Sequence, residues 1–203
     1  MQRNKRVRPI VGAVLSGGLS TRMGMPKDRI VMGDGRLMIQ HVIDTLLLVC
    51  NEVLVAGPKV PLSLEENERV SFVKDSNPGQ GPLAGIEAVL STGIAKGYLI
   101  AACDQPLLKE DLLRKLIPED MDMPCFFDAN SEGFIQPFPG YYPVKWLPDV
   151  RDSLRNNRRA IKALIAESDV ILRPLSKEIE ACLQSLNTKA DLEALSGPKA
   201  YEP

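Results

Sequence analysis

The sequence predicts an α/β fold: a single doubly wound, mostly parallel sheet with helices on both faces and a small antiparallel excursion near 124–143. Three observations carry that prediction. Short β-branched runs alternate with stretches of helical periodicity between residues 10 and 117, the pattern of a parallel sheet whose crossovers are helices. Two runs, 10–15 and 98–103, are apolar throughout, as strands buried on both faces must be. From Pro124 the texture changes to an aromatic, Pro-rich stretch ending in Tyr141-Tyr142-Pro143, which reads as a hairpin laid against the sheet.

The elements follow in order. Ile10 to Leu15 is the first buried strand, and a glycine-rich loop follows it. After the Asp34-Gly35 turn signal, Leu37, Met38, Val42, Leu46 and Val49 recur at helical spacing. Val53 to Ala56 and Val70 to Val73 read as strands two and three, joined by a polar connection with a short helix around 62–67. Leu83 to Ser91 is helical, Tyr98 to Cys103 is a fourth strand, and Lys109 to Ile117 is a helix with Glu110 and Asp111 in its first turn. Asn130-Ser131 marks a turn within the excursion, whose patch Phe134 to Tyr142 either contacts a cofactor or a protein or packs on the sheet. Helices over 146–157 and 159–166, a late edge strand at Val170 to Leu172 and a closing helix through 192–195 complete the chain.

At 203 residues, a single domain buries roughly 70% of the surface its unfolded chain exposes, so no metal or disulfide staple is needed. One domain is therefore expected over 1–203, with 1–9 a flexible basic tail. The 25 Lys+Arg nearly cancel the 26 Asp+Glu, leaving a formal charge of −1, so there is no whole-chain field for nucleic acid or an anionic membrane. No apolar run approaches the ~20 residues of a membrane span. Arg3, Lys5, Arg6 and Arg8 before an apolar stretch imitate a secretory leader, but Gly17, Gly18 and Arg22 interrupt it and no small-residue cleavage site follows. Cys50, Cys103, Cys125 and Cys182 form no C-x-x-C pair, which predicts buried, reduced thiols in a cytoplasmic protein. A single histidine, His41, excludes imidazole clusters and histidine triads.

Ligands of open α/β sheets bind beyond the carboxyl ends of the strands, and three loops there carry chemistry. After strand one, Gly17, Gly18 and Gly24 allow backbone N–H groups to approach phosphate oxygens, while Arg22 and Lys27 supply two cations. The spacing is neither a P-loop nor a G-x-G-x-x-G fingerprint. After strand three, the Asp75 carboxylate offers two acceptors suited to the N1–H and amino edge of guanine, with Gly79 and Gly81 leaving room for a base. After strand four, Asp104 is a hard oxygen ligand suited to Mg²⁺ shared with substrate phosphates. Taken singly these are also a tight turn with solvated charges, a loop leading into a helix, and a helix N-cap. Together they describe a nucleoside triphosphate site.

These residues resemble a known family. Leu15-Ser-Gly-Gly18-x-Ser20-x-Arg22-Met-Gly24-x-x-Lys27, Asp75-Ser76, Gly81-Pro-Leu-Ala-Gly85 and Cys103-Asp104-x-Pro106 are similar to the motifs of molybdenum cofactor guanylyltransferases. Gln136-Pro137, Gly140-x-Tyr142, Arg158-Arg159 and Asn187-Thr188 follow in that family's order, so the resemblance spans about residues 10 to 195. It implies a Rossmann-like nucleotidyltransferase fold and transfer of GMP from GTP to the terminal phosphate of the molybdopterin cofactor, with release of pyrophosphate and Mg²⁺ as cofactor. By resemblance, Leu15, Ser16, Gly17, Gly18, Lys27, Asp75, Gly81, Pro82, Leu83 and Asp104 bind GTP. Arg22, Lys27 and Asp104 are then catalytic, Asp104 holds the metal, and Arg159, Ser185 and Asn187 lie on the pterin side. Proteins that deliver or receive the molybdenum cofactor are the implied partners, and neither nucleic acid nor membrane is one.

The chain departs from that pattern in places. Ser16 stands where alanine is usual, Pro26 where an acidic residue often precedes the lysine, Gly57 where an asparagine often reaches the nucleotide, and Ser185 where the first of two asparagines is expected. Two alternatives therefore stand beside the guanylyltransferase: a related nucleotidyltransferase using CTP or another phosphate acceptor, and a GTP- or pterin-binding delivery protein without turnover.

Overall fold

The computed structural model describes residues 8–16, 29–58, 67–74, 80–128, 135–188 and 191. Its seven strands are β1 (Arg8–Leu15), β2 (Val53–Ala56), β3 (Val70–Val73), β4 (Ala95–Ala102), β5 (Cys125–Asp128), β6 (Ile135–Pro143) and β7 (Ile171–Pro174). They form one sheet in the order β3-β2-β1-β4-β6-β5-β7. Only β6 runs against its neighbours β4 and β5, so the sheet is mostly parallel with the expected antiparallel excursion. The helices are α1 (Met38–Val49), α2 (Pro82–Ser91), α3 (Glu110–Lys115), α4 (Leu147–Arg155), α5 (Ile161–Ala166) and α6 (Lys177–Cys182).

Side chains alternate across the strands, and each face of the sheet builds its own core. Val14, Val53, Val55, Leu99 and Phe127 point to α1, α3 and α6, while Val11, Ala13, Leu54, Ile100 and Phe126 point to α2, α4 and α5. The double winding follows from this, because strands apolar on both sides need a helical layer on each. Gly12 lets α1 sit close on β1, since a Cβ there would lie 3.0 Å from Val53 and 3.2 Å from Leu46. Arg69 closes the far end of α1 by donating to the carbonyls of Leu47, Cys50 and Asn51, which helix geometry leaves without partners. The aromatic stretch belongs to the core: Tyr141 and Tyr142 are buried, and Tyr142 meets Phe126 edge-on at 5.2 Å.

Several expectations shift. β1 starts at Arg8, inside the segment 1–9 expected to be a tail, because Arg8 pairs with Ala95 at the start of β4. Helix α6 was not anticipated. None of its residues is fully buried, and only the half-buried Ile179 and Cys182 face the core, a stripe too short for periodicity to detect; the Ser176 side chain, which accepts from Ile179 N–H, was its available signal. Cys50, Cys103 and Cys125 are buried as predicted, but Cys182 on α6 is only half-buried. Burial pushes the Cys50 thiol up to about 12, which keeps it protonated and unreactive. Residues 62–66 of the helix expected over 62–67, the turn at 130–131, Phe134 and the closing helix at 192–195 lie outside the described residues, and Asn67 is not helical.

Candidate active site

The strand order reverses between β1 and β4: β2 and β3 extend the sheet to one side of β1, and β4 lies on the other. Their carboxyl ends are in register, Leu15 opposite Ala102, so a crevice opens at this switch point, where open α/β sheets bind ligands. Ser16 leaves β1 here, 3% exposed, with its N–H donated to Ala56 O at 2.7 Å. Across the crevice Cys103 N–H donates to Leu15 O at 3.2 Å, and Asp104 follows, half-buried.

Asp104 is not a helix cap. The N-cap of α3 is Lys109, five residues on, so the capping explanation of this carboxylate falls away. A carboxylate at the mouth of the crevice fits a hard cation that takes its other oxygens from substrate phosphates. Among the described residues there is no cluster of three or more His, Cys, Asp or Glu side chains able to cage a metal alone.

On the far side, α2 aims its N-terminus at the same edge. Gly81 is its N-cap at φ 77°, with Pro82 at the first helical position, where a proline's missing N–H costs nothing. Gly85 lets the helix close on β1, since a Cβ would lie 3.1 Å from Leu15. The Gly-Pro-Leu-Ala-Gly motif is thus a packing device as well: Leu83 is buried in the core that Leu15 shares, while Gly81 and Pro82 face solvent at the crevice rim.

Gly57 has an explanation in the backbone. Its φ is +140°, and a Cβ there would stand 1.5 Å from Ser16 O. No asparagine fits while Ser16 runs this close to the end of β2.

The C-terminal segment completes the crevice. Leu186 N–H donates to Asp104 O at 2.8 Å, bringing Ser185 and Asn187 beside the end of β4. They line a cavity of about 640 Å³ with Gln136 at the start of β6 and Lys177 and Glu180 on α6. Asp191 clamps this segment, its carboxylate accepting from the N–H groups of Asn187 (2.7 Å) and Thr188 (2.8 Å) while its own N–H donates to Thr188 Oγ1. This is a capping box, legible as Thr188-x-x-Asp191 but missed in the sequence. Those hydrogen bonds hold the Asp191 carboxyl below its ordinary range.

The structure therefore brings together Leu15, Ser16, Gly81, Pro82, Leu83, Asp104, Ser185 and Asn187 at one edge of the sheet. Arg159 is the exception: it sits on the exposed turn between α4 and α5 and does not line the cavity of Ser185 and Asn187. Its neighbour Arg158 is engaged structurally, with Asp152 and Glu167. Gly17, Gly18, Arg22, Lys27 and Asp75 lie outside the described residues.

Fold and site together define an α/β protein whose sequence-expected site residues Leu15, Ser16 and Asp104 meet at the β1/β4 switch point. Residues 12–171 match the MobA-like NTP transferase domain, and the chain belongs to that family. It is 31% identical over 197 residues to a probable molybdenum cofactor guanylyltransferase of Carboxydothermus hydrogenoformans, covering 90% of this chain and 93% of the relative. A probable molybdenum cofactor guanylyltransferase of Rhodopirellula baltica is 28% identical over 195 residues, covering 91% and 90%. Among solved structures, molybdopterin-guanine dinucleotide biosynthesis protein A from Archaeoglobus fulgidus shares the fold with a TM-score of 0.73 at 22% identity, over 90% of this chain and 94% of that one. The resemblance drawn from the motifs is borne out. No helix among the described residues is long and apolar enough to cross a membrane.

Proposed function

We propose that the protein transfers GMP from GTP to the terminal phosphate of the molybdopterin cofactor, releasing pyrophosphate. The observation that carries the reading is the backbone bond from Leu186 N–H to Asp104 O, which places the segment of Ser185 and Asn187 beside Asp104 at the β1/β4 switch point. Membership of the MobA-like NTP transferases and similarity to relatives named for this activity support it.

In this reading GTP lies across the crevice, its phosphates over Ser16, Gly17 and Gly18, its base against Asp75 and the Gly81-Pro82-Leu83 turn. The acceptor sits in the cavity of Ser185 and Asn187, and its phosphate faces the α-phosphorus for in-line attack. An ionised phosphate needs no general base, in keeping with a chain holding one histidine; positioning and electrostatics supply the rate. Arg22 and Lys27 stabilise the departing pyrophosphate. Asp104 holds Mg²⁺, which when bound neutralises charge on the phosphates. Delivery or acceptor proteins for the cofactor are the partners this chemistry calls for, and the cytoplasm is its compartment.

Pyrophosphate release from GTP, CTP, ATP and UTP, with and without molybdopterin, tests the reading. Release confined to GTP and dependent on the pterin is expected. A CTP preference would overturn the base assignment, and GTP binding without release would leave a carrier.

A further inference from the structure

One side chain fastens the two halves of the crevice together. Gln105, next to Asp104, is 2% exposed. Its Nε2 donates to Phe138 O at 2.8 Å and to Leu183 O at 3.2 Å, and its Oε1 accepts from Ala102 N–H at 3.4 Å. Both Nε2 partners are carbonyls, which only accept, so the amide has one orientation that satisfies it. The three partners lie on three separate parts of the fold: the end of β4, the middle of β6, and the segment that carries Ser185 and Asn187. Leu183 itself lines the cavity, and three residues on, Leu186 N–H meets Asp104 O at 2.8 Å.

We infer that Gln105 is a positioning residue that holds segment 183–187 against the end of β4, setting the distance between acceptor and nucleotide. The inference rests on the guanylyl-transfer reading for its consequence. Both donated bonds go to the acceptor side, and neither reaches β1 or α2, where GTP is proposed to lie. Methionine at 105 has similar length but leaves the buried Leu183 carbonyl and the part-buried Phe138 carbonyl without this donor. Asparagine keeps the amide but falls one methylene short. Loss of Gln105 therefore separates the two substrates, which a general loss of stability does not.

The test uses the full chain with Gln105→Met and Gln105→Asn. GTP affinity is measured by calorimetry, acceptor KM at saturating GTP, and exchange of the 183–188 backbone amides by hydrogen–deuterium exchange. The expected result is a GTP Kd within about twofold of wild type, an acceptor KM raised about tenfold, the factor that 1.4 kcal/mol corresponds to, and faster exchange confined to 183–188. Should Gln105→Met fail to fold, Gln105→Asn carries the same measurements. An acceptor KM within twofold of wild type overturns the inference, as does a GTP Kd that rises in parallel with it. If wild type itself releases no pyrophosphate with molybdopterin, the transfer reading fails, and exchange judges Gln105 separately: unchanged protection of 183–188 overturns the tie, and faster exchange there alone upholds it.

Discussion

Gly57→Ala is the sharpest test of how the crevice is built. The new Cβ would start 1.5 Å from Ser16 O and 2.6 Å from Ser16 C, both backbone atoms. Reaching 3.0 Å, the shortest separation real Cβ atoms keep, requires Ser16 to retreat by about 1.5 Å, against its 2.7 Å bond to Ala56 O. The φ of +140° adds strain of about 1–3 kcal/mol for any residue with a Cβ, and forced backbone movement about 1–3 kcal/mol more. A loss of about 2–6 kcal/mol is expected, large against a typical stability of about 5–15 kcal/mol. Urea unfolding reads the stability and calorimetry the GTP affinity, which should weaken as Ser16 is displaced. Gly93→Ala is the control, since its φ of +59° is strained but a Cβ there meets nothing within 4 Å, so about 1–2 kcal/mol is expected with GTP binding intact. Equal losses at the two positions, or a Gly57→Ala protein that binds GTP as wild type does, would refute the close-approach argument.

Other expectations concern single carboxylates. Asp104→Ala should abolish transfer while changing stability by less than about 1 kcal/mol, because it is a crevice residue and not core; retained Mg²⁺-dependent turnover would remove its metal role. Asp75→Ala should narrow GTP over ATP discrimination by about 1–3 kcal/mol, the scale of a lost hydrogen bond to a charged group, and an unchanged ratio in competition binding would remove the base assignment. The Asp191 carboxyl is lowered in the folded chain from 3.8, so its clamp on Asn187 and Thr188 is fully present above that value and is lost as pH falls through the lowered one. Amide shifts of residues 187 and 188 followed through an acid titration should therefore turn below 3.8, and the transition should vanish in Asp191→Asn; a midpoint above 3.8 contradicts the clamp.

Much of this architecture was readable from residue pattern. The continuous apolar runs of β1 and β4 announced strands covered on both faces, and the aromatic stretch from Pro124 announced the change of direction at β6. Ends were harder: Ala95-Lys96-Gly97 carries no strand signal, yet it extends β4 because Arg8 and Ile10 pair with it. Helix α6 was invisible because its core-facing side is only two half-buried residues, Ile179 and Cys182. The carboxylate at 104 could be found from its place after an apolar strand, but Gln105 could not, because its partner Leu183 is 78 residues away and nothing local marks an amide as a tie. Gly57 was legible only as a missing asparagine, its cause being the path of a neighbouring strand.

That 78-residue separation also sets an order of assembly on the ribosome. Every strand that flanks the β1/β4 crevice on its nucleotide side has been synthesised by Ala102, whereas the partner that Gln105 grips has not. At about 5–20 residues per second the gap lasts roughly 4–16 seconds, so the strands on the proposed nucleotide side precede the segment proposed to seat the acceptor. The segment after α6 can close on the end of β4 only once Leu183 has been made.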